Sequence, residues 1–378
     1  MDSALEKSLA LIIFIIIGVL LKKRFTHGKE VNGLKNLILT LALPATIFIA
    51  LLKIKVDADL LILPFFALLF NFLLFFVSPV LLYFTGIPKE SPEANTLKLL
   101  IPSLAPGLSC FPFILEFLGD PFLAKAAMAD LGNKFFVLFI LYLIAIRWHY
   151  QNESYKKESL KNKLQSLLKS LLTEPVNLFI FVALILISMG ITITDFPGFL
   201  SSILLRLSAI MTPLVLLFIG LALKFKRKQF FQIFSLLMLR AAIGLILVAA
   251  AVSILNISVK NDILFMLAFA LSACSFWPFA HISGIAFKEK ELNTKHATFN
   301  VDIALSVLAL SLPLSVLLIL MILTAGNTFT STSNILILAS VLFLLGSIVP
   351  LIKWFRTITK SSKSTEIQPI SISNNEVS

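Results

Sequence analysis

The sequence predicts an all-α integral membrane protein, built as two inverted five-helix repeats with proline-broken crossover helices plus one extra C-terminal span. Three observations carry that expectation. The 378 residues are 58% hydrophobic and only 14% charged, where a soluble domain carries roughly a quarter charged residues. The apolar residues come in long blocks, such as Asp59 to Gly86 and Gln229 to Asn256, without the polar stripe of a soluble amphipathic helix. About 20 such residues at a 1.5 Å rise cross the hydrocarbon core of a bilayer. Finally, the halves on either side of a basic central stretch repeat a pattern of prolines.

Taken in order, the apolar blocks give spans at 8–21, 34–52, 60–85, 97–118, 122–147, 175–193, 199–223, 230–256, 262–287, 297–325 and 334–353. The first has its basic cluster, Lys22, Lys23 and Arg24, after the apolar run and no small-residue cleavage site beyond it. It therefore reads as a retained span and not as a signal peptide. With the N-terminus outside and the spans alternating, 24 of the 32 Lys and Arg fall in cytoplasmic segments. Only Lys7, Lys53, Lys55, Lys125 and Lys260 fall outside, and Lys134, Arg206 and Arg240 lie within spans. That is the positive-inside asymmetry of a multi-pass protein in the cell (inner or plasma) membrane, with a cytoplasmic C-terminus. The net charge of +12 sits in these short loops, so it reports topology and points away from nucleic acid.

The domain organisation follows. Residues 1–147 form a first five-helix unit, 148–174 a cytoplasmic basic linker, and 175–325 a second, inverted five-helix unit. Residues 326–356 hold the extra span and 357–378 a disordered cytoplasmic tail rich in Ser and Asn. The stretch Arg147 to Thr173 spaces Lys156, Lys157, Lys161, Lys163 and Lys169 among leucines. It reads either as an amphipathic helix on the anionic leaflet or as a solvated linker. Five spans before the linker is an odd number, so the second set starts from the opposite side, the condition for an inverted repeat. The second spans of each half align when Pro44 is set on Pro213, and "LSCFPF" (Leu108 to Phe113) echoes "LSACSFWPF" (Leu271 to Phe279). The separations are 169 and about 165 residues, in the right order.

The fourth spans carry the candidate chemistry. Each contains proline among small polar residues: Pro102, Pro106, Ser109, Cys110 and Pro112 in one, Ser275, Pro278, His281 and Ser283 in the other. Proline removes an amide donor and clashes with the preceding turn, so both helices should break. Broken backbone at membrane depth is tolerated only against protein or a water-filled cavity, and paired breaks point to a midplane binding site. The candidate substrate-binding residues are Ser109, Cys110, Pro112, Asn133, Ser275, Pro278, His281 and Asn300. Charges inside apolar blocks are costly, about 3 kcal/mol when centred, and seven lie in or near them: Glu116, Asp120, Asp130, Lys134, Arg206, Arg240 and Asp302. Glu116, Asp120 and Arg206 fall near the outer interface, and Arg240 is placed to snorkel toward the inside. Asp130 and Lys134 are four residues apart and share a helical face. With Asp302 near Asn300, they are candidates for coupling or gating, or for structural glue between helices.

The order of elements resembles that of the auxin efflux carrier superfamily, the bacterial permeases related to the plant auxin exporters. The resemblance rests on "LALPA" (Leu41 to Ala45), a proline-broken fourth span, "AAMADLGNKFF" (Ala126 to Phe136), a basic loop, "TPLVLLFIGLAL" (Thr212 to Leu223), a second broken span and "HATFNVDIALSVLALSLPL" (His296 to Leu314). It covers about residues 5–325. It implies two inverted five-helix repeats whose fourth helices cross near the substrate, a separate scaffold domain, and transport of small organic anions. Half-helix N-termini, with their partial positive charge, suit such a substrate. The plant carriers place an asparagine beside each proline crossover and this chain has none there, which argues against auxin itself.

A channel or a regulatory membrane protein shares these features except alternating access and stands as the alternative. An intramembrane enzyme is disfavoured. There is no H-E-x-x-H, and His27, His149, His281 and His296 are not spaced as metal ligands. Cys110 and Cys274 both fall in apolar segments and suggest neither a disulfide nor a thiolate metal site. The expected partners are a small organic anion and the lipid bilayer, with a homodimer possible. No catalytic residue, metal or cofactor is expected beyond coupling to a proton or a sodium ion.

Overall fold

The computed structural model describes residues 3–25, 28–53, 58–152, 160–222, 230–292 and 296–365. Among them every regular element is a helix. The first half comprises α1 (Ser3–Leu21), α2 (Gly28–Leu37), α3 (Leu43–Leu52), α4 (Ala58–Phe84), α5 (Pro92–Leu100), α6 (Pro106–Ser109), α7 (Phe111–Leu118), α8 (Asp120–Phe135) and α9 (Leu141–Asn152). Wide π-helical turns join α2 to α3 (Ile38–Ala42) and α8 to α9 (Phe136–Ile140). Then come α10 (Leu160–Thr173), α11 (Pro175–Ser188), α12 (Gly198–Ala209), α13 (Met211–Ala222), α14 (Phe230–Ile254), α15 (Lys260–Ala270), α16 (Phe276–Glu291), α17 (Val301–Ala325) and α18 (Thr332–Thr365).

Among the described residues, seven unbroken helical stretches are long and apolar enough to cross a membrane: Lys29–Leu52, Leu60–Phe84, Asp120–Gln151, Gly198–Ala222, Phe230–Ile254, Val301–Thr330 and Thr332–Ile352. The other four expected spans have identifiable shapes. α1 covers the short first one. The spans expected at 97–118 and 262–287 are interrupted, as α5 to α7 and as α15 and α16. The span at 175–193 is α11, which meets α10 at a 63° bend. The bend falls at Glu174 because Pro175 cannot continue a helix but opens one well.

Helices approach most closely where glycine removes the side chain, as small residues allow between membrane helices. α1 lies along α13 with Gly18 and Gly220 against each other's backbone, and α4 lies along α8 with Gly132 against the Pro64 carbonyl. α14 lies along α18, with Gly346 against Ser235 and Leu239. The outer faces stay apolar, with Phe65, Phe76 and Tyr83 on α4 and Ile337 and Leu344 on α18. Hydrocarbon accommodates such faces and water does not.

One detail decides between the two readings of the central stretch, and a second differs from the expectation. α10 is a helix that packs Leu164, Leu167 and Leu171 onto the bundle, at the i, i+3, i+7 spacing of one face; residues 153–159 lie outside the described residues. α18 continues to Thr365, into the segment expected to be tail, because no Gly or Pro lies between Pro350 and Thr365 to end it earlier. Residues 366–378 lie outside the described residues.

Candidate functional site

The two broken helices meet, and their breaks bond to each other. α5 stops at Leu100, and Ser103–Ala105 are non-helical before α6; α15 stops at Ala270, and Ser272–Ser275 are non-helical before α16. The Ala105 N–H donates to the Ala273 carbonyl (2.8 Å). The Ala273 N–H donates to Ser109 Oγ (3.0 Å) and the Ser275 N–H to Ser103 Oγ (3.0 Å). Backbone that leaves a helix within a bilayer must find such partners. The prolines sit just past the breaks: Pro112 and Pro278 occupy the first turns of α7 and α16, where the missing N–H has no intrahelical acceptor to lose.

Two side chains from outside the breaks hold them. Arg240, on α14 and buried, donates from Nε to the Ile101 carbonyl (2.7 Å), from Nη1 to Ser272 O (3.0 Å) and from Nη2 to Ser103 O (3.0 Å). The C-terminal ends of α5 and α15 each carry about half a negative charge, so together they balance one guanidinium. This corrects the expectation that Arg240 snorkels: three converging carbonyls satisfy it inside. On the other side, the Asn133 amide pairs with the backbone of Leu104, taking its N–H at Oδ1 (3.2 Å) and giving Nδ2 to its carbonyl (2.9 Å). Asn71 Nδ2 also donates to Asn133 Oδ1 (2.8 Å).

A cavity of about 950 Å³ opens beside the crossing. Its wall includes Leu104–Leu108 and Ala273–Trp277 from the two breaks, Leu305–Pro313 from α17, and Phe218 and Leu221 from α13. Three cations line it, Lys22, Lys35 and Lys134, with two carboxylates, Asp130 and Glu174. Lys134 Nζ lies 3.5 Å from Asp130 Oδ2 and 3.1 Å from Glu174 Oε1, and donates to Asn177 Oδ1 (3.0 Å). Asn133 Nδ2 donates to Asp130 Oδ1 (2.8 Å), and Asn177 Nδ2 to Glu174 Oε2 (3.2 Å). The Asp130–Lys134 pair expected from spacing is thus two thirds of a triad. Lys35 Nζ stands 4.2 Å above the centre of the Phe276 ring, a cation–π contact.

Of the residues singled out from sequence, Asn133, Ser275, Asp130 and Lys134 line this cavity. Ser275 also caps α16, its Oγ accepting from the Trp277 N–H (3.3 Å). The others lie elsewhere. Ser109 is fully buried between Ala105 and Ala273, and Cys110 and Pro112 are buried behind the break. Pro278 is buried within α16, and His281 Nε2 donates to the Val137 carbonyl (2.9 Å) in the second π turn. Asn300 caps α17 and donates from Nδ2 to Glu93 Oε1 (2.9 Å), a bond that holds the Glu93 carboxyl below its usual range. Asp302 is exposed on the first turn of α17. Sequence reasoning missed Lys22 and Lys35, which it counted as loop charges, and Glu174, the last residue of the expected linker. It also missed Asn71, though a lone amide in the apolar run "LLFNFLLFF" was a usable signal. Among the described residues no group of three His, Cys, Asp or Glu is arranged to hold a metal ion.

No family model matches the chain. An uncharacterized transporter of Methanocaldococcus jannaschii is 27% identical to it over 219 residues, which are 57% of this chain and 65% of that protein. The chain thus spans 65% of the length of the curated relative it matches. With its apolar helices, it is a transporter-like, multi-pass, all-helical membrane protein.

Proposed function

We propose that this protein is a secondary transporter that carries a small organic anion, a carboxylate, across the cell membrane by alternating access, in the manner of the auxin efflux carrier superfamily. The observation that carries the proposal is the 950 Å³ cavity at the meeting of two broken helices, whose wall holds three lysines against two carboxylates. A formal excess of positive charge inside a largely apolar cavity suits one anionic group on an apolar body.

Two inverted repeats, residues 1–147 and 175–325, joined by the linker 148–174 and followed by the extra span 326–356 and the tail 357–378, account for further contacts. α1 lies along α13 and α11 lies along α3; with first spans matched to sixth and second to seventh, these are one contact made twice. Asn71 and Arg240 stand 169 residues apart, as do Pro44 and Pro213, and both serve the chain breaks. The proposed orientation puts the N-terminus outside and the C-terminus in the cytoplasm. Lys22, Phe25 and Asn32, from the end of α1 and from α2, line the cavity, so it opens to the cytoplasm. The other end is tied by Lys7 with Glu116, Lys53 with Asp120 (2.7 Å) and Lys125 with Asp262 (2.6 Å). Open at one end and tied at the other is what one half of an alternating-access cycle requires.

The test is counterflow in proteoliposomes with a panel of mono- and dicarboxylates, alongside neutral and cationic solutes. At least one carboxylate should exchange, and Ala309→Trp, which projects a bulky ring from the cavity wall beside the crossing, should abolish exchange without loss of folded protein. Exchange of neutral or cationic solutes alone would overturn the anion assignment. Exchange undiminished in Ala309→Trp would remove the cavity from the path.

A further inference from the structure

We propose that Asp130, Lys134 and Glu174 form a proton-binding site on the cavity wall, in which the two carboxylates hold one exchangeable proton between them. The inference deepens the transport reading and rests on it only for the coupling to substrate. Lys134 lies between two carboxylates, 3.5 Å from one and 3.1 Å from the other, with side chains 10%, 7% and 22% exposed for Lys134, Asp130 and Glu174. One ammonium neutralises one carboxylate, so the triad carries one unbalanced negative charge in surroundings that disfavour it. A single proton removes it.

Hydrogen bonding favours a proton over a metal cation. Asp130 Oδ1 and Oδ2 face Asn133 Nδ2 and Lys134 Nζ, and Glu174 Oε1 and Oε2 face Lys134 Nζ and Asn177 Nδ2. A hard cation needs a shell of oxygens directed at it, and here all four carboxylate oxygens already meet N–H donors. The Asn133 amide cannot flip to offer an oxygen, because the Leu104 N–H donates to its Oδ1. A proton needs only one lone pair, and each carboxylate oxygen keeps a second. Both carboxylates line the cavity, which supplies the route.

The surrounding charges are few. Lys22 and Lys35 share the cavity wall. Of the elements packed against α8, α4 brings Asn71 and carries Asp59 in its first turn, α7 carries Glu116, and α15 carries Lys260 and Asp262; Glu116 and Asp262 pair with Lys7 and Lys125. Lys125 is two to three turns from Lys134 along α8. α3 and α6 carry no charge. The five charged groups of the cavity sum formally to +1 without the proton and +2 with it, so proton and anion each favour the other's binding. That linkage is reciprocal by thermodynamic necessity.

Infrared difference spectroscopy on the protein in lipid films tests this without a substrate. The carbonyl stretch of a protonated carboxyl is followed across a pH series, with sodium or with choline as the cation. The parent should show one carboxyl per chain that is missing from both Asp130→Asn and Glu174→Gln, since either variant leaves a neutral lysine–carboxylate pair. Loss in Asp130→Asn but survival in Glu174→Gln would overturn the shared site in favour of Asp130 alone. Displacement of the proton by sodium in the parent would replace it with a sodium site. If neither variant folds, the parent still decides: no carboxyl band changing over the pH range in which it stays folded overturns the proposal. Failure of carboxylate counterflow with the band intact would remove the transport reading and leave the proton site.

Discussion

Changing Arg240 to methionine keeps an unbranched apolar stem of similar length and deletes the guanidinium. Three carbonyls, of Ile101, Ser103 and Ser272, then lose their donor inside the bundle. Bonds to a charged group are worth about 1.5–3 kcal/mol each in soluble proteins. Polar contacts between membrane helices average nearer 0.6 kcal/mol, because the unfolded chain in the membrane also finds partners. Three bonds on these two scales bracket a loss of about 2–9 kcal/mol. The cost of orphaning a buried charged pair, about 3–5 kcal/mol, falls inside that bracket. Lysine keeps the charge but offers a single ammonium in place of a fork, so Arg240→Lys should lose about half as much. Unfolding in mixed micelles, followed by far-UV circular dichroism, measures both. A loss below about 1 kcal/mol for Arg240→Met, in the range of an ordinary surface change, would mean that the breaks hold each other and that the arginine is incidental.

Four further outcomes follow from the same contacts. Lys134→Met leaves two carboxylates facing each other and should cost about 3–5 kcal/mol, whereas Asp130→Asn, which leaves the Lys134–Glu174 pair at 3.1 Å, should cost less than half of that; equal losses would deny the triad. Gly132→Ala drives a methyl into the Pro64 backbone and should cost about 1–3 kcal/mol, while Gly284→Ala meets nothing within 4 Å and should be neutral or stabilising by up to ~1 kcal/mol, both read by thermal unfolding. Asn300→Ala removes a helix cap and the Glu93 bond and should cost about 0.5–2 kcal/mol without changing carboxylate affinity; a selective affinity loss in a binding assay would bring Asn300 back into the site. Lys53→Met or Glu116→Gln, at largely exposed ion pairs, should each change stability by about 0–1 kcal/mol, and a larger loss would show those pairs to be shielded from water.

Some of this was legible in one dimension because the bilayer imposes it. A span needs a continuous apolar run, so hydropathy located most of the helices to within about five residues at each end, and the last one fell short by twelve because its polar extension to Thr365 carries no apolar signal. The breaks were legible too, though displaced. Pro102 and Pro106 flank the first break at Ser103–Ala105, whereas Pro112 and Pro278 fall in first turns, where proline is tolerated, and the second break lies upstream of Pro278, at Ser272–Ser275. Spacing along one helix brought Asp130 and Lys134 together, since residues four apart share a face. It had no means of finding Glu174, which arrives at the bend between α10 and α11 some 40 residues later.

The sequence by itself thus determined which segments are helical and apolar and which two spans are interrupted. Only the tertiary structure decided what those groups do. Ser109 and His281, both attractive as ligands of a substrate, bond to backbone at Ala105, Ala273 and Val137. Arg240, expected to snorkel toward the inside, holds two chain breaks, and Lys35, counted as a loop charge, lines the cavity over Phe276. The reason is physical. In a bilayer each buried polar group must find a partner, and for irregular backbone that partner comes from another helix whose position no local pattern encodes.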